Sequence, residues 1–292
     1  MVTSPLETAV AYPERKLVAM VNRVKALVLE SLEQPCIEDI AFIGNASDRY
    51  VWEPAMIIDL DVCIFVKAMD RITGVFLLDL SHRITDLLAR QDAAFEFKIV
   101  RGPYKPTPMW VTRPFMVLHG AVFTEETYLA EAPILRWGWK KYSCQNEPDR
   151  LARLAPQKPG IPMLLAGPKG IQEKIAGISS GRVLMQERIL PELNWVSHEY
   201  TPNHPLFAEY CLNAGATTAR NHARVAGRPE ADSLPNSAFF PWYHREIFSC
   251  EAFLALMEGK AAARHRGYGG LMPRVRDLAL EYLRRLRLHL EK

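Results

Sequence analysis

Residues 41–67 read AFIGNASDRYVWEPAMIIDLDVCIFVK, and the rest of the 292-residue chain is best read outward from them. An apolar run ends at Gly44, fourteen residues lie between Gly44 and Asp59, and Asp59-Leu60-Asp61 opens a second apolar run. Side chains two apart on a strand share a face, so Asp59 and Asp61 are expected side by side, with Leu60 and Val62 turned the other way. The rest of that strand is Met56, Ile57, Ile58, Val62, Ile64, Phe65 and Val66. Two carboxylates on one face of so apolar a strand are costly to shield from water unless a positive group neutralises them. A hard divalent cation with oxygen ligands, Mg²⁺ above all, does this.

The composition, 49% apolar and 24% charged, is that of an ordinary globular protein, and the length suits two domains or one large one. A net charge of +3 makes no case by itself for a nucleic-acid partner. Cys36, Cys63, Cys144, Cys211 and Cys250 are odd in number, scattered and without a C-x-x-C pair. That pattern points to free thiols in a reducing cytoplasm rather than to a disulfide framework or a structural zinc. The first residues, MVTSPLETAVAYPERK, interrupt any apolar core with Glu7 and two prolines, unlike a secretory signal. No run reaches the roughly 18 apolar residues of a membrane span, so the expectation is a soluble, cytoplasmic protein.

Apolar residues at 17, 18, 21, 24, 27, 28 and 32 predict an amphipathic helix over 14–33, closed by Pro35. Strands follow at 37–43 and 56–66. Residues 74–90 predict a second helix with a stripe of Phe76, Leu77, Leu80, Ile84, Leu87 and Leu88. Residues 93–100 alternate, which places Glu96 and Lys98 on one face and Phe95, Phe97 and Ile99 on the other. Residues 109–123 add one or two strands, broken near Pro114. Residues 1–125 therefore read as a small mixed α/β domain. Past Thr124 strand signals fade, and 168–193, 203–227, 236–259 and 272–291 read as helices between proline-bearing loops, giving a mostly helical domain over 126–292.

Gly44 after a strand, Asp59-Leu60-Asp61 on the next strand, and Glu96 on a strand 35 residues after Asp61 come in an order that resembles the nucleotidyltransferase superfamily of the DNA polymerase beta type. Its pattern is an apolar residue, Gly-Gly or Gly-Ser, a gap of about a dozen residues, an Asp-x-Asp strand, and a third acid on a neighbouring strand. Here Ile43-Gly44-Asn45 stands for the turn, with Asn45 where the family has Ser or Gly, and Glu96 stands where a shorter Asp is usual. The likeness covers roughly residues 14–123 and extends to small-molecule members such as the antibiotic nucleotidyltransferases, whose core is commonly followed by a helical domain.

The resemblance implies an α+β fold: a nucleotidyltransferase-like mixed sheet flanked by helices, then a mostly helical C-terminal domain. It implies transfer of a nucleoside monophosphate from an NTP, ATP among the candidates, to a small-molecule acceptor with release of pyrophosphate. Asp59 and Asp61 would hold two Mg²⁺ ions; Glu96 would help hold the ion nearer the acceptor hydroxyl and act as its base. Gly44 would let the backbone approach the triphosphate, Asn45 or Ser47 would donate to its oxygens, and Arg49 would either reach a phosphate or solvate the loop. The acceptor is expected between the two domains. The alternative is a nucleotidyltransferase-like domain that binds a nucleotide or a partner without catalysis, and Asn45 and Glu96 are the residues that motivate it.

Other features carry blander readings. Gly167-Pro168-Lys169-Gly170 departs from the P-loop pattern and suits a helix entry. Among the eight histidines no H-E-x-x-H spacing occurs, and His198, His204, His222 and His244 read as packing or surface residues. Trp137, Trp139, Trp242 and Tyr243 suit packing, with stacking on a base as the alternative. Lys140 and Lys141 are candidates to meet a triphosphate. Arg274, Arg276, Arg284, Arg285 and Arg287 read as a solvated helix face, with an RNA surface as the alternative.

Overall fold

The computed structural model describes residues 14–43, 56–101, 109–131, 142–154 and 166–292. It is an α+β structure: a mixed sheet flanked by helices, and a helical C-terminal region. The described residues divide into two units, one from within 1–157 with Met185–His198 and Arg264–Arg266, the other from within 158–184 with Glu199–Ala263 and Gly267–Lys292. The position expected to separate the domains, 125/126, falls inside the first of these.

In the first unit α1 (Glu14–Glu30) precedes β1 (Ile37–Ile43) and β2 (Ile57–Val66); α2 (Arg71–Ala89) leads to β3 (Ala94–Arg101), and β4 (Phe115–Phe123) to α3 (Glu125–Glu131). Asp70 starts α2 by accepting a hydrogen bond from the Thr73 amide at 2.9 Å. Among the described residues the sheet has seven strands in the order β5-β1-β2-β4-β3-β6-β7, with β5 at Tyr142–Cys144, β6 at Val183–Ile189 and β7 at Asn194–Tyr200. Strand β4 runs parallel to both β2 and β3, whereas β1 is antiparallel to β2 and β6 to β3.

Alternation along β2 sorts its side chains to two faces. Ile58, Leu60, Val62, Ile64 and Val66 join the main core with Leu17, Met20, Val24 and Val28 of α1 and Leu77, Leu80, Ile84 and Leu88 of α2. Cys63 and Phe65 point to the opposite face, into a smaller cluster with Ala41, Ile43, Phe123, Tyr128, Leu151 and Leu154. Asp59 and Asp61 belong to this second face by the same alternation.

That second face also holds Asp39, which pairs in register with Phe65 and is fully buried. Its carboxylate accepts backbone amides from Ile40 (2.8 Å), Gln145 (3.1 Å), Asn146 (2.9 Å) and Glu147 (3.0 Å), with the Arg150 guanidinium at 3.5 Å. Arg150 opens α4 (Arg150–Leu154), bonds Glu38 at 2.9 Å and Glu147 at 2.9 Å, and lies over the Phe65 ring. One carboxylate thus fastens the segment that carries β5 and α4 to the sheet edge.

The expected helix over 168–193 is a helix followed by strand. α5 (Pro168–Ser180) stops at Gly181, whose φ of +69° is the left-handed cap that favours glycine, and the chain then enters β6. The hairpin of β6 and β7 lies at the polar edge of the sheet, and alternation in VLMQERI and NWVSHEY is too weakly apolar to announce a strand. It approaches α2 so closely that a Cβ on Gly74 would lie 1.6 Å from the Pro191 carbonyl oxygen.

In the second unit α5 is joined by α6 (Pro205–Val225), a short α7 (Glu230–Ser233), α8 (Asn236–Glu246), α9 (Glu251–Arg266, through Ala263) and α10 (Met272–Leu290), with α10 packed on α5 and α6. The expected helix over 236–259 is two, parted at 247–250. Its core is aromatic, with Phe239 against Tyr243, Tyr243 against Phe253 and Phe253 against Tyr282, and it holds a buried polar network in which Glu209 accepts from Asn213 (2.7 Å), Lys260 (3.3 Å) and the Tyr268 hydroxyl.

Candidate functional site

The site is set by three neighbouring parallel strands. Register places Asp59 of β2, Val117 of β4 and Glu96 of β3 in one row, and Asp61, His119 and Lys98 in the next. Directly paired residues share a face, so all six side chains stand on the face opposite the α1–α2 core. Val117 is fully buried and forms an apolar floor between the acids.

His119 Nδ1 lies 3.1 Å from Asp61 Oδ1, with the imidazole 14% and the carboxylate 37% exposed. Asp59 is half-buried, and one of its carboxylate oxygens is shielded from solvent. Lys98 Nζ stands between Glu96 Oε1 at 3.3 Å and Glu187 Oε1 at 2.7 Å, and His198 Nε2 is 3.5 Å from Glu187 Oε2. Polar groups thus cross the face from β2 to β7. Burial pushes the Glu96 carboxyl above its ordinary range, Lys98 pulls it back, and Glu187 adds a smaller upward push. Burial works against the charge on Lys98, but Glu187 and Glu96 outweigh it and hold the ammonium protonated beyond its usual range.

The donor chemistry of Asp59 and Asp61 suits magnesium, which is usually held by one or two carboxylates, waters and substrate phosphates rather than by an all-protein cage. Among the described residues no group of three or more His, Cys, Asp and Glu side chains is placed to hold a metal ion. The register explains why. Glu96 lies on the correct face, but β4 separates it from Asp59, two strand spacings or about 9.6 Å at the backbone. Its carboxylate is also engaged by Lys98.

Gly44, Asn45, Ser47 and Arg49 lie outside the described residues, as do Trp137, Trp139, Lys140 and Lys141. Gly167 and Pro168 form the entry of α5. His204 starts α6 by accepting the Leu206 amide, and His222 is buried against the Tyr243 hydroxyl at 2.8 Å. Trp242 lies under the Arg228 guanidinium, and Tyr243 sits in the aromatic core. Sequence reasoning passed over His119 and Glu187; the pairing of Glu96 with Lys98 was the plainer alternative for that acid. The one available signal was His119 as the only ionisable side chain in FMVLHGAVF.

Compared with known proteins, the chain matches no family model and has no significant match to a curated sequence.

Proposed function

We propose that this protein is a Mg²⁺-dependent nucleotidyltransferase that moves a nucleoside monophosphate from an NTP to a hydroxyl of a small acceptor, releasing pyrophosphate. The observation that carries the reading is the common face of Asp59 and Asp61 on β2 and Glu96 on β3, the outer two of three consecutive parallel strands. Asp59 and Asp61 would hold the magnesium brought with the nucleotide. When bound, the ion offsets the negative charge that spreads over the transferring phosphoryl group. Glu96, with its proton affinity raised by burial, would take the proton of the acceptor hydroxyl. Holding a second ion would require Glu96 to leave Lys98. Gly44, Asn45, Ser47 and Arg49 keep the phosphate-binding roles that the resemblance implies.

The test is pyrophosphate release from each NTP with Mg²⁺ and a panel of hydroxyl-bearing acceptors. Release that depends on an acceptor and vanishes in Asp59→Asn and Asp61→Asn supports the reading; undiminished release in both variants overturns it. The Lys98 bridge favours a second reading, nucleotide binding without turnover, because Glu96 is already neutralised. Calorimetry separates the two: metal-independent nucleotide binding with no pyrophosphate release selects the second.

A further inference from the structure

We infer that His119 is a positioning residue for the metal-holding carboxylate Asp61, an inference that rests on the nucleotidyl-transfer reading. An ionised carboxylate can only accept hydrogen bonds, so the 3.1 Å contact requires His119 Nδ1 to carry the hydrogen and donate it to Asp61 Oδ1. The χ2 torsion of an aspartate is soft and broad when nothing restrains it. Pinning Oδ1 removes that freedom and turns the other oxygen in a fixed direction. Three features make His119 suited to this. It sits on β4, paired in register with Asp61, so the strand ladder holds it. Its side chain is more buried than the carboxylate it holds, 14% against 37% exposed. Fully buried Val117 and Leu118 precede it on a strand packed on both sides by β2 and β3. Such partners of metal-binding carboxylates commonly tune affinity by 10- to 100-fold.

The experiment compares three substitutions that differ in where they offer a donor. His119→Asn places an amide N–H near the position of Nδ1, His119→Gln places it near Nε2, and His119→Leu offers none. Binding of Mn²⁺, with and without ATP, is read from the paramagnetic signal of the free ion, and folding is followed by circular dichroism. The expected result is Mn²⁺ affinity within about 3-fold of wild type for His119→Asn, and affinity lowered by about 10- to 100-fold for His119→Gln and His119→Leu. If the leucine variant fails to fold, the Asn–Gln pair, alike in polarity, decides alone. Equal Mn²⁺ affinity in wild type and all folded variants overturns the role of His119 and leaves the nucleotidyl-transfer reading standing. A wild-type protein that takes up no Mn²⁺, with or without ATP, overturns both.

Discussion

One face of one sheet carries acids in opposite settings. At one end Asp39 is sealed from water and saturated, with four backbone amides and a guanidinium on its two oxygens. At the other, Asp61 is 37% exposed and held on one oxygen by a histidine. The difference teaches how to tell a carboxylate committed to the fold from one that can still take a ligand. A buried charge whose acceptor capacity is filled by backbone has nothing left for a ligand, whereas a half-exposed carboxylate with one oxygen fixed is still available. The two should respond to substitution in opposite ways.

The largest effect tests the exposed end. Asp61→Asn, close to isosteric, is expected to lower acceptor-dependent pyrophosphate release by roughly 10²- to 10³-fold, the scale of losing one principal electrostatic contact at a phosphoryl-transfer centre. Its melting temperature should stay near that of wild type, because among the described residues Asp61 is bonded by the His119 side chain and holds no stretch of backbone in place. A stability loss like that of the buried acid would break the comparison.

Asp39→Ala should do the reverse. It leaves three consecutive amides at residues 145–147 and the 12%-exposed Arg150 without their shared acceptor. Arg150 keeps Glu38 and Glu147, so the loss falls on the amides, and each one left without an acceptor costs on the order of 1–3 kcal/mol. Urea denaturation followed by fluorescence measures the change, and Mn²⁺ affinity of the folded fraction should be retained. Unchanged stability would show that Asp39 is not the fastening it resembles.

This pairing also explains what the sequence disclosed. Asp59 and Asp61 were legible because alternation within one strand is local, and so was the face of Glu96. Asp39 was not, since its partners lie over a hundred residues away at 145–150 and neither end has an unusual composition. The same holds for His119, which matters only because β4 falls between β2 and β3, a strand order that no local pattern encodes. The helices α1 and α2 were legible from their apolar stripes, and α6 and α10 from long patterned segments between proline-bearing loops. The β6–β7 hairpin was hidden, because an edge hairpin with polar faces has little apolar signal to give.

A smaller effect probes how that hidden hairpin is held. Gly74→Ala forces a methyl group to within 1.6 Å of the Pro191 carbonyl oxygen, a backbone atom that cannot swing aside as a side chain would. Overpacking of this kind costs about 1–3 kcal/mol. The loss should be accompanied by faster amide exchange in 185–198, which a general destabilisation would not confine to that segment. Normal stability in Gly74→Ala would mean that α2 and the hairpin are not in register as described.

The smallest effect extends the comparison to a cation. Lys174 in α5 is largely buried and bonds the fully buried Thr218 hydroxyl at 2.6 Å, and burial lowers its pKa to about 8. Burial outweighs the pull of the neighbouring Glu173 carboxylate on this charge, whereas Asp39 is met by four backbone amides and a guanidinium. The sign follows from linkage. Between about pH 8 and the ordinary lysine value the unfolded chain binds the proton and the folded chain does not, so this group makes stability rise with pH across that window. Below it both states are charged and the full penalty of burial remains. Lys174→Met removes the penalty, so the variant should exceed wild type near pH 7 by on the order of 1–2 kcal/mol, after discounting for partial solvent access. The gap should close as the pH approaches 10. Parallel urea titrations at pH 7, 8.5 and 10 read it directly, and a gap that stays constant across the three would show that Lys174 is as well compensated as Asp39.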